Sequence, residues 1–269
     1  MRALRFGMTR QLRSPTFEPA ALRFAEAVTA VLKRPVRVSF VPDYEQLREG
    51  LAAGAVDFAW MPPLVHLRAA ECGELLAVSQ RAGRLTYRAA ILVAKENRIR
   101  SVAGLKKSRL AWSDLGSASG YLFPRMHLLA RAPSFAKRIE SEEFFGSAKL
   151  ACAAVARGAA DLSACYVTEG ATADLDRAQV DVERALGVAI AGKLRVLELT
   201  DSIPPDGIMA ARNLDSEWQA RLRDTLLTLH EHAAGAESLD ELMQAERLSP
   251  VTLEVQQILN RCMALTDAL

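Results

Sequence analysis

The sequence predicts an α/β protein of two lobes, each built on a mixed, mostly parallel sheet flanked by helices. Strand patterns alternate with helical patterns along most of the 269 residues, and 50% of the residues are hydrophobic, enough to bury a core in each lobe. A third observation is an echo between Gly-Ala-Val-Asp at residues 54–57 and Gly-Ala-Ala-Asp at residues 158–161, each after an alanine-rich helix. Two lobes of like construction would explain this echo, and chance is the alternative.

The first part of the chain predicts a β-α-β-α-β-α order. Strand patterns lie at residues 2–8, 36–41 and 56–61. Helical patterns follow from about residue 16 to Pro35, over residues 44–53 with Asp43 as the N-cap, and after Pro62 through residue 70. Strands that alternate with helices in this way favour a mostly parallel sheet covered on both faces.

The rest of the chain repeats this organisation and then ends in helices. Further strand patterns lie at residues 75–79, 85–94, 109–112, 139–144, 161–166, 194–199 and 208–211. Further helical patterns lie around residues 126–129 and at 147–157, 168–188 and 215–230, and the pattern is helical only from residue 239 onward. We expect the chain to cross between lobes near residues 86–89 and 200–205, so that residues 1–87 and 204–269 form lobe 1 and residues 88–203 form lobe 2. These crossings are the expected hinges for closure on a ligand.

The turn after the strand at residues 109–112 is rich in serine and glycine. Such a turn at the start of a helix leaves backbone N–H groups without acceptors, and the helix dipole favours negative charge there. Ser117 and Ser119 add hydroxyl donors, so the turn is a candidate oxyanion site. The alternative is that Ser117 or Ser119 only caps the helix.

Charge and composition exclude several classes of protein. Lys plus Arg number 34 against 32 Asp plus Glu, with the signs interspersed, so nucleic acid is not an expected partner. Residue 1 leads directly into the first strand, which predicts cytoplasmic residence, or periplasmic residence if an export leader was removed. Because the cysteines lack metal-ligand spacing and lie in apolar patterns, we expect buried, reduced thiols and no metal or other cofactor. They are Cys72, Cys152, Cys165 and Cys262.

Several segments together resemble the phosphate, phosphite and phosphonate receptors of ABC transporters. They are Asp-Tyr at 43–44, Ala-Gly-Ala-Val-Asp-Phe-Ala-Trp-Met-Pro-Pro at 53–63, Tyr87, Ser-Ala-Ser-Gly-Tyr at 117–121, Phe-Phe-Gly-Ser at 144–147 and Ile-Pro-Pro-Asp at 203–206. The resemblance spans nearly the whole chain. It implies the type II periplasmic-binding-protein fold with a ligand cleft between the lobes, and a small phosphate- or phosphonate-like anion as the ligand. The partner it implies is an ABC permease.

Carried over by position, the resemblance implies a set of ligand-binding residues. They are Tyr44, Tyr87, Ser117, Ser119 and Asp206, with the backbone N–H groups of Ala118, Ser119 and Gly120. Thr168 and Glu169 lie near a further family carboxylate, a match uncertain by one residue. A tyrosine offers a phenolic donor, and an acidic residue accepts a proton that the ligand still carries. The alternatives are that Tyr44 covers a helix end, that Tyr87 packs in the sheet and that Asp206 starts a turn.

The chain departs from the family pattern at two donor positions. Ala118 stands where the family's serine turn has a hydroxyl, and Ala148 stands where the family has histidine after Gly-Ser. Both changes put phosphonate specificity in question. Trp60 and Trp112 end strands, and core packing is favoured over a place in a cleft for both.

The sequence therefore predicts a monomeric protein that binds a small oxyanion or anionic organic molecule without chemistry of its own. An intracellular sensor read by a signalling partner is a second hypothesis. An enzyme that reuses this fold is a third, for which the candidates are Cys165, Tyr166, His66, His127 and Glu169. No spacing joins a nucleophile to a base among them.

Overall fold

A computed structural model describes residues 2–10, 17–168 and 174–266 of the chain. Its strands are β1 (Leu4–Thr9), β2 (Val36–Val41), β3 (Phe58–Met61), β4 (Gly73–Gln80), β5 (Tyr87–Ala94), β6 (Ser108–Trp112), β7 (Ile139–Phe144), β8 (Leu162–Thr168), β9 (Leu194–Leu199), β10 (Gly207–Ala211) and β11 (Arg247–Ser249). Its α-helices are α1 (Phe17–Leu32), α2 (Tyr44–Ala52), α3 (Pro63–Arg68), α4 (Phe123–Arg131), α5 (Ala148–Ala156), α6 (Leu175–Leu186), α7 (Val188–Ala191), α8 (Ser216–Thr228), α9 (Ala233–Met243) and α10 (Leu253–Thr266). Short 3₁₀ segments lie at Val102–Gly104, Pro133–Arg138 and Leu229–Glu231, and a π-helical turn lies at Ala118–Leu122. Within these described ranges no helix is long and apolar enough to cross a membrane.

The chain divides into two compact units. Unit 1 consists of Met1–Leu85 with Pro204–Leu269, and unit 2 of Thr86–Ile203. The sheet of unit 1 has six strands in the order β11-β4-β10-β3-β1-β2, and that of unit 2 has five in the order β7-β6-β8-β5-β9. In unit 1, β1 runs parallel to β2 and β3, whereas β10 is antiparallel to β3 and β4. In unit 2, β6 runs parallel to β7 and β8, whereas β5 is antiparallel to β8 and β9.

The mixed character of both sheets is confirmed, but parallel pairing is confined to β2-β1-β3 and β7-β6-β8. The alternation of strands and helices correctly indicated these parallel sets. The strands with which the chain enters a unit, β5 and β10, insert in the opposite direction beside β8 and β3. Strand direction after a crossing leaves no periodic signal, so the sequence did not reveal it.

Helices cover both faces of each sheet. In unit 1, α1, α8 and α9 bury one face around Phe6, whose ring lies 4.9 Å from that of Phe24 and 5.0 Å from that of Phe58, measured between centroids. The other face packs Leu47 and Leu51 of α2. In unit 2, α5 and α6 cover one face, and Trp112 lies in the core of the other. Burial on both faces explains why the inner strands β3 and β8 are mostly apolar, whereas the edge strand β7 alternates with glutamates.

The echo noted in the sequence marks the same set of contacts in both units. In unit 1 the Arg5 N–H and Nε donate to Asp57 Oδ2 at 2.8 and 3.1 Å, and Arg5 Nη2 also donates to the Gly54 carbonyl. In unit 2 the Arg109 N–H and Nε donate to Asp161 Oδ2 at 2.8 and 3.1 Å, and Arg109 Nη2 donates to the Gly158 carbonyl at 3.0 Å. Each aspartate ties the first parallel strand of its unit to the start of the third. Like construction therefore accounts for the echo better than chance.

Two sequence-based expectations are wrong. Residues 239 to the end are not helical only, because β11 pairs antiparallel with β4; three residues are too few to show a strand period. Residues 168–188 do not form one helix. Thr168 ends β8, the next described helix begins at Leu175, and Gly187, with φ of 82°, separates α6 from α7. A positive φ suits glycine at a helix end, and that signal was present in the sequence.

Candidate functional site

The serine turn of unit 2 connects β6 to α4. Its core is the π-helical turn Ala118–Leu122, which runs directly into α4. Ser117 is the N-cap: its Oγ accepts the Gly120 N–H at 3.0 Å, and its carbonyl accepts the Leu122 N–H at 3.0 Å. Capping was the alternative weighed for this serine, and it is correct for Ser117. The Gly120 N–H already donates to Ser117 Oγ in this structure, and its contact with a ligand stays a prediction.

The donors that the turn can still offer come from Ala118 and Ser119. N–H groups in the first turn of a helix have no acceptor within it, and they carry the positive end of the helix dipole. Ser119 is half-buried and Ala118 is buried. π-Helical turns of this kind are frequent at functional sites. The arrangement is suited to hold one oxyanion group by two backbone N–H groups and one hydroxyl.

Close packing fixes the position of this turn. A Cβ atom on Gly120 would lie 2.0 Å from the Oγ of Ser113 and 2.8 Å from that of Ser117, so only glycine fits there. Backbone bonds hold the turn against the strand ends, since the Ser113 N–H donates to the Gly120 carbonyl at 3.2 Å and the Gly146 N–H donates to the Ser113 carbonyl at 2.7 Å. The turn is thus a rigid element rather than a loose loop.

An acidic side chain lies in the same turn. Asp114 Oδ1 accepts the Gly116 N–H at 3.0 Å, and its carbonyl accepts the Ser117 N–H at 3.2 Å. Burial raises the pKa of Asp114, an effect that outweighs the opposing effect of the Gly116 hydrogen bond. The aspartate shapes the turn, and its charge works against anion binding, so the backbone donors have to overcome it.

Sheet pairing places two other candidates of unit 2 side by side. Tyr87 begins β5 opposite Thr168 at the end of β8. The Tyr87 ring is buried against Tyr166, with 5.1 Å between centroids, and its backbone pairs with Ile203. The Thr168 N–H donates to Asp181 Oδ2 at 2.9 Å, and its hydroxyl donates to the same oxygen. Glu169 lies outside the described residues.

In unit 1, Asp206 lies in a buried network. Its Oδ2 accepts hydrogen bonds from Trp60 Nε1 at 2.5 Å and Ser79 Oγ at 2.7 Å, and its Oδ1 lies 2.7 Å from Arg81 Nη2. Burial raises the pKa of Asp206, but Arg81 and the two hydrogen bonds together hold it below the ordinary value. Asp206 does not merely start a turn. Sequence reasoning missed Ser79 and Arg81, because partners so far apart along the chain are chosen by the fold.

The structure also gives the contacts of the other residues that the sequence analysis singled out. Tyr44 is the first residue of α2, half-buried against the core around Leu47. Trp112 is fully buried, as expected, whereas half-buried Trp60 donates to Asp206. His66 Nε2 lies 3.2 Å from the Pro205 carbonyl, and burial lowers the pKa of His66 to about 4. His127, also buried, lies 3.1 Å from Glu198 Oε2.

Two α/β units of like construction, each with a mixed sheet between layers of helices, define the type II periplasmic-binding-protein fold. Residues 6–255 match the family described as "ABC transporter, phosphonate, periplasmic substrate-binding protein". The chain belongs to this family.

The individual relatives and similar structures have low sequence identity to this chain. The chain is 24% identical over 230 residues to the "Phosphonates-binding periplasmic protein" of Escherichia coli (strain K12), a match that covers 83% of this chain and 65% of that protein's length. Among solved structures, XAC2383 from Xanthomonas citri bound to ATP is similar with a TM-score of 0.80 at 19% identity, over 100% of this chain and 98% of that one. PhnD1 from Prochlorococcus marinus (MIT 9301) in complex with methylphosphonate gives 0.73 at 18% identity, over 98% of both chains. At such identities the structural similarity concerns the fold.

Proposed function

We propose that this protein binds a phosphonate-like oxyanion as the solute-binding component of an ABC transport system, and that the serine turn of unit 2 holds the charged group. The observation that carries the proposal is the start of the helical turn at Ala118 and Ser119, where first-turn N–H groups and a half-buried hydroxyl face away from any acceptor within the helix. Membership of a family of phosphonate receptors supports the same ligand class.

The ligands of relatives favour a phosphorus oxyanion. One relative is described as phosphonate-binding, one similar structure is in complex with methylphosphonate, and another is bound to ATP. These ligands share a tetrahedral group with negatively charged oxygens, which backbone N–H groups at a helix start accommodate without a lysine or arginine. Ser117 has a capping role here, so Ser119 is the hydroxyl that we assign to the ligand. Tyr44, Tyr87, Thr168 and Asp206 remain predicted contacts.

We also propose that the protein has no catalytic activity and that its partner is a permease. An intracellular sensor read by a signalling partner is the alternative. It is favoured by Cys72, Cys152 and Cys165, which are buried and form no disulfide, a pattern common in reducing compartments. Fractionation of the native cell separates the two proposals, because a transport component requires the protein on the outer face of the membrane.

Calorimetric titration tests the binding proposal directly. We expect methylphosphonate to bind the wild-type protein, and Ser119→Ala to weaken that binding by about ten-fold to more than one hundred-fold, the effect of one charge-assisted hydrogen bond. Ser101→Ala is the matched control, because Ser101 is exposed in the same unit and makes no side-chain cap. It should bind as the wild type does. Absence of binding of methylphosphonate, phosphite and phosphate to the wild type would refute the proposal, and unchanged affinity in Ser119→Ala would refute the assigned site.

A further inference from the structure

Exposed apolar side chains lie beside the serine turn, on the same edge of unit 2. Leu115, within the turn, is 67% exposed, and Phe144, the last residue of β7, is 44% exposed. Tyr121, which belongs to the turn, packs its ring against that of Phe144. We refer to Leu115, Tyr121 and Phe144 as the apolar rim. Ligands of α/β sheets bind beyond the carboxyl ends of parallel strands, and the rim lies at the carboxyl ends of β6 and β7.

The aromatic part of the rim is held in place by the core. Tyr121 packs edge-on against Trp112, with 5.6 Å between ring centroids, and Phe144 packs edge-on against Tyr121 at 5.0 Å. Trp112 is fully buried and donates from Nε1 to Glu142 Oε1 at 2.9 Å. The exposed face of Phe144 is therefore preorganised and costs little conformational entropy to use in binding.

Sheet pairing places Phe144 opposite Trp112, the strand residue from which the chain enters the serine turn. The Phe145 N–H donates to the Trp112 carbonyl at 2.9 Å, and the turn itself is held against Ser113. The two family donor positions in this region carry methyl groups instead, at Ala118 and Ala148. At these two positions the turn presents methyl groups in place of polar side chains, and Phe144 presents an aromatic surface.

From these contacts we infer that the ligand carries an uncharged aromatic substituent on its phosphonate or phosphate group, and that this substituent packs against Phe144. The inference rests on the proposed function, whose anion site it extends. Aromatic pairs prefer edge-on or offset geometries. Trp112, Tyr121 and Phe144 form an edge-on series, and a ligand ring on the exposed face of Phe144 would extend it.

The test compares phenylphosphonate with methylphosphonate by calorimetry. The wild type should bind phenylphosphonate about ten-fold or more tightly than methylphosphonate, because the phenyl ring buries additional apolar surface. Phe144→Ala should lower the affinity for phenylphosphonate by about two- to twelve-fold, the range for one aromatic pair, and leave that for methylphosphonate unchanged. Val188→Ala removes an apolar side chain that is 74% exposed on α7 of the same unit, and serves as the control. A melting curve establishes that each variant is folded.

Each outcome separates the inference from the proposed function. Equal affinity for the two phosphonates in the wild type refutes the inferred aromatic substituent and leaves anion binding intact. An unchanged preference of Phe144→Ala for phenylphosphonate over methylphosphonate does the same. An equal loss for both ligands in Phe144→Ala also overturns it, since Phe144 would then support the turn and not the substituent. If no phosphonate, phosphite or phosphate binds the wild type, the proposed function fails and the inference fails with it.

Discussion

Protonation of His66 is expected to destabilise the protein in mildly acidic solution. This side chain lies in α3, is 2% exposed, and places Nε2 3.2 Å from the Pro205 carbonyl. Burial lowers its pKa from 6.5 to about 4, although the Pro205 carbonyl and the nearby Asp206 both favour the charged form. His66 therefore remains neutral and supports the segment that carries Asp206.

The size of the effect follows from this difference in pKa. Because the folded-state pKa lies below the unfolded value, the unfolded protein binds more protons between pH 6.5 and 4, and stability falls as the pH falls through that window. At pH 5 the loss amounts to roughly 2 kcal/mol, and below pH 4 this group causes no further loss. The window lies above the range in which the carboxylates with lowered pKa values, such as Asp206, become protonated.

Urea unfolding at pH 7.5 and pH 5.0 measures this loss. The matched variant is His66→Gln, whose side-chain amide can still donate to the Pro205 carbonyl but does not titrate. The wild type should lose about 2 kcal/mol more than His66→Gln between the two pH values. Equal losses in both proteins would refute the reasoning, because another group would then cause the acid sensitivity.

Three further predictions concern stability. Ser117→Ala should lower the stability of unit 2 by about 1 kcal/mol in a melting experiment, with or without ligand, because it removes the cap of the serine turn. Asp57→Asn should cost about 1.5–3 kcal/mol in urea unfolding and Asp161→Asn clearly less, since the Asp57 side chain is 5% exposed and that of Asp161 is 35% exposed; equal costs would contradict this. Ser79→Ala should cost about 1.5–3 kcal/mol through the lost hydrogen bond to Asp206 and leave methylphosphonate affinity within two-fold, which calorimetry can check.

The sequence was sufficient for the features that depend on local order. Apolar periodicity and the residues that begin and end helices located most strands and helices, and the echo between residues 54–57 and 158–161 indicated two units of like construction. It was not sufficient for features that depend on which distant residues meet. β11 pairs with β4, and Arg81 pairs with Asp206, only because the fold brings them together.

The serine turn shows why the sequence could not assign roles within a motif. Ser117 and Ser119 are both serines at the start of a helix, and propensity treats them alike. The structure separates them, because Ser117 lies at the N-cap, where its Oγ accepts the Gly120 N–H, and Ser119 lies inside the turn and is not the N-cap. The π-helical geometry, in which the Ser117 carbonyl accepts the Leu122 N–H, leaves no periodic signal in the sequence.

Asp206 is a second residue whose role could not be assigned from the sequence. An ionised carboxylate offers about four acceptor sites, and Trp60, Ser79 and Arg81 already occupy at least three of those of Asp206. Arg81 also compensates the charge, which removes most of the repulsion that a buried carboxylate would exert on an anion. Asp206 is therefore better suited to hold Trp60 and Arg81 in place than to accept a proton from the ligand.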